Sequence, residues 1–394
     1  MRTVLLLALL AGSALGQTVS QVGHKDLPIQ NPTSRGSRVL QSRVFYPATR
    51  SGRDAPLRTR TGGWPSLVFL HGYNQIGSVY FGLGLQLALS GYIAVMSDTA
   101  RADVKLQRED GIALYSALAA ENRRKGAFLE GALDMSQVGV LGHSMGGGNT
   151  IGVLAENPGY RAGACLAPWV DPVAAARVKT PFVIIVGTGD QILPWKTHSL
   201  GTFDAAKSYT GVKLLYVMNN DCDHLNIAVW ELSGQSQTDR EVFERTLSVM
   251  KGFFDRFVKG DPGGLDAAVG PSARAEKRLH AFQLEVETPD YFKTGPEAIG
   301  RTTSFHVVGD RGLAAHLMAL RRSRLDTPFG TLLLDPATLF VALVGSLSRD
   351  GIFTLDVPVP GNALFKGLVL PFQGLGHGEG RLRLTDVVEL RTGK

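Results

Sequence analysis

The sequence predicts an α/β fold with a mostly parallel central sheet, followed by a small all-β, sandwich-like C-terminal domain. Three observations carry that prediction. Between residues 39 and 260, short β-rich runs alternate with helical patterns, as a parallel sheet with crossover helices requires. Several of these runs are apolar at consecutive positions, as strands covered on both faces are. Beyond about Lys277 the texture changes to short apolar runs punctuated by Gly, Pro and Asp, without long helical patterns, which points to an antiparallel sandwich.

The elements follow in chain order. Met1-Arg2-Thr3 precedes an apolar run over 4–10 and a small-residue exit at Ala14-Leu15-Gly16, the pattern of a secretory signal peptide covering residues 1–16. The run is shorter than the roughly 18 apolar residues that a membrane span needs. Export would make the protein secreted or periplasmic, with no stable membrane insertion. A catalytic domain is expected over 17–264, with strands at 66–70, 92–97, 137–141, 162–166, 182–186 and 213–217. A closing helix is expected over 239–258, where Phe243, Leu247, Met250, Phe254 and Phe257 recur every three or four residues. The run Gly260-Asp261-Pro262-Gly263-Gly264 punctuates the chain. A linker is expected over 265–277 and the sandwich-like domain over 278–394, with strands at 302–308, 314–320, 331–334, 339–344, 351–357 and 368–371.

Composition narrows the function. The chain has 394 residues, is 44% apolar and 19% charged, and carries a formal net charge of +6. That apolar fraction excludes a largely disordered chain. Dilute charge of both signs argues against a nucleic-acid partner. Two cysteines, Cys165 and Cys222, are too few for a disulfide scaffold or a thiolate metal cluster.

The chemistry sits in Gly142-His143-Ser144-Met145-Gly146, which follows an expected strand and opens a helical stretch. Strand, G-x-S-x-G and helix together form a nucleophile elbow, in which small residues allow the tight turn that exposes the serine hydroxyl. A serine hydroxyl needs a base to take its proton, and the base needs a carboxylate to hold its tautomer. In this architecture both follow the serine in the chain, acid before histidine. His224 follows the last expected strand of the sheet and is the base; His198 lies before that strand. The acid should follow the strand at 182–186, which favours Asp190 over Asp171 and Asp204. Asp221 and Asp223 read as turn formers beneath the histidine, since Asp-x-Asp-His has neither the ligand count nor the spacing of a zinc site. No metal and no cofactor is expected. The tetrahedral oxyanion needs two N–H donors, for which Met145 and Tyr73 are the candidates. His71, which opens the loop carrying Tyr73, reads as structural.

With those residues in hand, the chain from 39 to 260 resembles the cutinase-like polyester hydrolases, including PET hydrolases, and the related dienelactone-hydrolase superfamily. The matching strings are Gly72-Tyr73, Gly142-His143-Ser144-Met145-Gly146-Gly147-Gly148, Ala167-Pro168-Trp169, Gly189-Asp190-Gln191-Ile192-Leu193-Pro194 and Asp223-His224. The resemblance implies an α/β-hydrolase fold and a serine carboxylic-ester hydrolase acting on polyesters or bulky esters. It assigns Tyr73, Trp169 and Ile192 to the acyl-side groove, with His143 counted beside them for substrate binding, and Tyr73 and Met145 to the oxyanion hole. The family commonly ties its acid and histidine loops with a disulfide; Gly187 and Asn226 stand at those positions here, leaving a Cys165–Cys222 bridge as the candidate substitute. The C-terminal domain is an addition to the family pattern, open to contact with polymer or cell surface; its few aromatics favour a spacer. Two other readings compete. One is a phospholipase of the platelet-activating-factor acetylhydrolase type, or a general esterase, with the same triad. The other is a non-catalytic surface-binding protein.

Overall fold

The computed structural model describes residues 19–33, 36–207, 211–230, 236–261, 263–347 and 351–392. The leader expected over 1–16 lies outside them. β1 (Val22–Thr33) and β2 (Gly36–Pro47) form a long antiparallel hairpin, followed by the two-residue β3 (Gly52–Arg53). The alternating unit then runs β4 (Trp64–Leu70), α1 (Phe81–Leu89), β5 (Ile93–Ser97), α2 (Val104–Arg123), β6 (Leu133–His143), α3 (Met145–Glu156) and β7 (Ala162–Leu166). It continues through α4 (Pro172–Ala175), β8 (Phe182–Gly187), α5 (Ser199–Ala205), β9 (Val212–Met218), α6 (Gln237–Phe257), the short α7 (Asp266–Val269) and α8 (Pro271–Arg274), and β10 (Leu279–Val286).

These strands build one ten-stranded mixed sheet, in the order β10-β9-β8-β7-β6-β4-β5-β2-β1-β3. The six strands expected from sequence are β4 to β9. They pair in parallel, and β4, β5, β7, β8 and β9 are buried along their whole length. Burial on both faces explains why they read as continuous apolar runs rather than as alternation. α6 starts where Ser236 caps it, its hydroxyl accepting from the Asp239 N–H at 3.0 Å. Phe243, Met250 and Phe254 are fully buried against the sheet, with Leu247 and Phe257 packed at the margin.

The sheet is wider than the sequence predicts. The β1–β2 hairpin was not expected, because Pro28 and Pro32 count against a strand and Asn31 puts a polar residue at a buried position. It folds because Leu27, Ile29, Leu40 and Val44 face the core while β2 pairs antiparallel with β5. The expected linker, 265–277, instead carries α7 and α8, with Leu265, Ala268, Val269 and Ala273 buried in the main core. Next, β10 extends the large sheet by pairing antiparallel with β9, although its residues were assigned to the sandwich.

The remaining strands are β11 (Asp290–Thr294), β12 (Thr302–Val308), β13 (Asp310–Met318), β14 (Arg322–Thr327), β15 (Gly330–Leu334), β16 (Phe340–Leu347), β17 (Ile352–Pro358), β18 (Val369–Gly378) and β19 (Arg381–Arg391). A three-stranded sheet β11-β12-β17 and a four-stranded sheet β16-β13-β18-β19 accompany the hairpin β14-β15. Phe305 of β12 stacks on Phe372 of β18 with ring centroids 4.1 Å apart, so the two sheets share a second apolar core. That region is tied to the first by Arg256 of α6, whose guanidinium grips both oxygens of Asp290 at 2.6 Å. On the surface of this region Leu320, Phe329, Phe340, Val341, Val344 and Leu364 are exposed, beside exposed charged residues such as Arg321, Arg322 and Arg391.

Two imidazoles are buried in this C-terminal region. His306 is bracketed by the hydroxyls of Thr294 and Thr354 at 2.9 Å each; His316 meets the Tyr291 hydroxyl at 2.9 Å and the Phe353 carbonyl at 3.2 Å. Burial lowers both from the ordinary 6.5 to about 4. The unfolded chain takes up these protons near pH 6.5 and the folded chain only near 4, so stability falls as pH drops through that window. Between pH 6.5 and 5 the loss should reach about 2 kcal/mol per histidine. Urea midpoints measured at pH 7 and pH 5 test this, and equal midpoints would contradict it.

Candidate active site

Three loops at the carboxyl ends of neighbouring parallel strands meet at Ser144, where open α/β sheets bind their ligands. β6 delivers Ser144 into a turn with φ +58° and ψ −118°, a left-handed conformation that costs a non-glycine residue energy. The flanking glycines make it sterically feasible. A Cβ on Gly142 would lie 2.3 Å from the Gly146 carbonyl oxygen, and one on Gly146 would lie 2.0 Å from that of Leu70.

The serine hydroxyl is 3.0 Å from His224 Nε2, and His224 Nδ1 is 2.7 Å from Asp190 Oδ2. A carboxylate only accepts, so Nδ1 carries a hydrogen, and in the neutral ring Nε2 is then the acceptor that faces Ser144. Asp190 is nearly inaccessible, and its other oxygen accepts from the Ile192 and Leu193 N–H groups at 3.0 and 2.8 Å. Every carboxylate lone-pair direction that matters is therefore committed, which locks the imidazole's orientation.

The donors expected for an oxyanion lie alongside. Met145 is the first residue of α3, where main-chain N–H groups have no intrahelical acceptor. The Tyr73 peptide is held between two anchored neighbours: Gly72 N–H donates to the Tyr80 hydroxyl at 3.3 Å and Asn74 N–H to the Arg101 carbonyl at 2.6 Å. Beneath them His71 is fully buried. Gln107 donates to Thr99 Oγ1 at 3.2 Å, and Thr99 Oγ1 lies 3.0 Å from His71 Nε2. His71 is thus structural, as expected.

Three large apolar side chains on loops that meet at the site are exposed. Tyr73 (61% exposed), Ile192 (64%) and Trp169 (36%) present large faces to solvent. The loop carrying Trp169 leaves β7 through Ala167, whose φ of +42° is again left-handed, and Trp169 N–H donates to the Ser144 carbonyl at 3.0 Å. Leu225, next to His224 in sequence, is exposed as well (47%); nothing in the sequence pattern singled it out.

Other expectations require correction. His143, counted with the substrate-binding residues, is 2% exposed, and its ring nitrogens are engaged by the Tyr80 hydroxyl and the His224 carbonyl. It faces away from the groove because the elbow turns Ser144 out and the preceding side chain in. Cys165 and Cys222 are both free and buried, so the candidate bridge between them does not exist. The acid and histidine loops are joined by main chain instead: Gly189 N–H donates to the Cys222 carbonyl at 3.1 Å, and Thr188 N–H to that of Met218 at 2.9 Å. Gly187 permits the approach, since a Cβ there would fall 1.9 Å from the Cys222 carbonyl oxygen. Asp223 Oδ1 accepts from Leu225 and Asn226 N–H at 2.7 and 2.9 Å; it is a turn former. The rejected acids are elsewhere engaged or remote, Asp171 with Arg108 and the N-terminus of α4, and Asp204 on the exposed side of α5. His198 Nδ1 accepts from Val170 N–H at 3.4 Å.

Comparison with known proteins gives the same direction. The chain is similar to a bis(hydroxyethyl) terephthalate hydrolase of Streptomyces coelicolor, 27% identical over 42% of this chain and 52% of that protein. It is also similar to cutinase est1 of Thermobifida alba, 29% identical over 38% of this chain and 50% of that protein, and to a cutinase of Thermobifida fusca, 30% identical over 35% and 45%. The chain spans about half the length of the curated relatives it matches. The model of the PETase family, described as PET hydrolase-like, matches residues 30–260. A match over more than half of the chain, with the elbow and both partner loops inside it, makes this protein a member of the PET hydrolase-like family.

Proposed function

We propose that this protein is an exported serine carboxylic-ester hydrolase with an α/β-hydrolase fold, acting through an acyl-enzyme on polyesters or bulky, flat esters. One observation carries the reading: an unbroken chain from Ser144 Oγ through His224 to Asp190, at 3.0 and 2.7 Å, with Tyr73, Trp169 and Ile192 exposed on the adjoining loops. Ser144 attacks the ester carbonyl as His224 Nε2 takes its proton. Asp190 orients the imidazole and stabilises its charged form. The N–H groups of Met145 and Tyr73 receive the developing oxyanion. His224 then returns the proton to the departing alcohol and activates the water that releases the acid. The exposed rings of Tyr73 and Trp169 suit stacking of an aromatic diester unit, in keeping with the terephthalate ester that names one relative.

The test is direct. Purified protein should hydrolyse a short p-nitrophenyl ester and bis(hydroxyethyl) terephthalate, and an organophosphate should add covalently to the tryptic peptide containing Ser144. Absence of turnover together with no adduct at Ser144 would overturn the reading. Turnover of an oxidised phospholipid but of neither polyester film nor the terephthalate diester would move the substrate class to short-chain phospholipids.

A further inference from the structure

A buried hydrogen-bond chain runs under the site and has no role in the mechanism above. It begins at the Gly72 N–H, on the loop after β4, which reaches the Tyr80 hydroxyl at 3.3 Å. That hydroxyl lies 2.9 Å from His143 Nδ1, and His143 Nε2 lies 2.6 Å from the main-chain carbonyl oxygen of His224. Tyr80 and His143 are 1% and 2% exposed, so neither bond is shared with solvent. Tyr80 comes from the 3-10 turn before α1, His143 from the elbow, and His224 from the loop after β9.

The direction of every bond in this chain is determined by chemistry. A carbonyl oxygen only accepts, so His143 Nε2 must carry a hydrogen. Burial and the neighbouring His224 imidazole lower His143 to about 3, so the ring is neutral and its Nδ1 is bare. Tyr80 therefore donates its hydroxyl hydrogen to Nδ1, which leaves its oxygen free to accept from Gly72. No other arrangement satisfies all four groups.

We infer that Tyr80 and His143 are positioning residues for ester hydrolysis, forming a single brace that holds the peptide before Tyr73 and the main chain of His224 in register about Ser144. The inference rests on the proposed hydrolase reading. Its function follows from where the ends attach. One end grips the peptide unit next to the Tyr73 N–H, a donor whose aim must suit the oxyanion. The other grips the main chain of the base, whose side chain must stay within reach of Ser144 Oγ. His143 is the neighbour of Ser144 in sequence, and its ring centroid lies 4.7 Å from that of His224, so the brace packs against the base itself. Misplacing a reacting group by about 1 Å is worth roughly 100-fold in rate.

The decisive variants are Tyr80→Phe, which keeps the ring and deletes the hydroxyl, and the pair His143→Leu and His143→Gln. Each is assayed with a short p-nitrophenyl ester well below its melting temperature, alongside wild type and Ser144→Ala. Tyr80→Phe should lower kcat about 10- to 100-fold with KM within about twofold, and should slow phosphonylation of Ser144 by a similar factor. His143→Leu should lose about 100-fold in kcat, and His143→Gln, which restores a donor toward the His224 carbonyl, should recover at least about tenfold of it. In nitrogen NMR of histidine-labelled wild type, His143 should remain the neutral Nε2–H tautomer down to about pH 4. A purely structural role would move the melting temperature and leave these rates and the rescue unchanged. Folded Tyr80→Phe with kcat and phosphonylation rate both within twofold of wild type overturns the inference, as does an Nδ1–H tautomer at His143. Should Tyr80→Phe not fold, the His143 pair decides alone: equal rates in the Leu and Gln variants overturn it. A failure of the hydrolase reading itself is separately visible, as wild type without turnover or Ser144→Ala with undiminished turnover.

Discussion

Ser144→Ala is expected to abolish ester hydrolysis, lowering kcat by about a millionfold, the loss measured when a serine triad's nucleophile is removed. The hydroxyl is partly exposed and lies 3.0 Å from an imidazole nitrogen of His224. The substitution deletes one atom from a residue whose backbone is anchored independently. Ser144 N–H donates to the Leu166 carbonyl at 2.9 Å, and its carbonyl accepts from Gly148 and Trp169 at 3.0 Å. The fold should therefore be untouched. The measurement is kcat on a short p-nitrophenyl ester, with melting temperature as the control. Retention of even a tenth of wild-type kcat in a correctly folded variant would falsify the assignment of Ser144 as nucleophile.

The second large effect is on stability. Gly146→Ala adds a Cβ 2.0 Å from the Leu70 carbonyl oxygen and 2.5 Å from its carbonyl carbon, a separation no non-bonded pair sustains. Leu70 ends a central strand with 0% exposure, so the neighbour is main chain held in the sheet and has nowhere to retreat. Overpacking of this kind costs about 3 kcal/mol or more, and for a domain of this size it should lower the melting temperature by roughly 6 to 12 °C. Activity should fall as well, because the displaced atoms join the elbow to the loop that carries Tyr73. Gly361→Ala, where an added Cβ meets nothing within 4 Å, is the control and should change stability by less than about 0.5 kcal/mol. Equal melting temperatures for the two variants would refute the steric account.

How much of this was legible beforehand depends on whether the determinant is local. β4 to β9 could be read because burial on both faces writes an unbroken apolar run into the chain. Ser144, Asp190 and His224 could be picked out as candidates because each follows a strand in the chain order serine, acid, histidine, and the structure brings the three side chains together at 3.0 and 2.7 Å. β1 and β2 escaped because Pro28 and Pro32 count against a strand and Asn31 and Ser42 put polar residues at buried positions, in a hairpin whose burial comes from distant segments. β10 escaped for a related reason: Leu279, Phe282 and Leu284 pack against the main core, yet nothing in the sequence tells a strand which of two sheets it will join. The free state of Cys165 and Cys222 was illegible as well, since pairing depends on Cα separation, a distance no spacing along the chain encodes.

The contrast is sharpest at His143. Its place inside the elbow was plain, but its role depends on which side of the turn its ring occupies and on what arrives there. Sequence alone determined the alternating architecture, the strand-end positions of the three candidate catalytic side chains and the small residues that make the elbow possible, because those are properties of short segments and their order. Only tertiary structure decided that the acid and histidine loops are joined through Gly187 and main-chain hydrogen bonds. It alone set Tyr80 beneath His143, and it alone carried the chain past residue 264 to add β10 to the large sheet. Those contacts join residues 30 to 74 positions apart, and their geometry exists only once the intervening chain has packed.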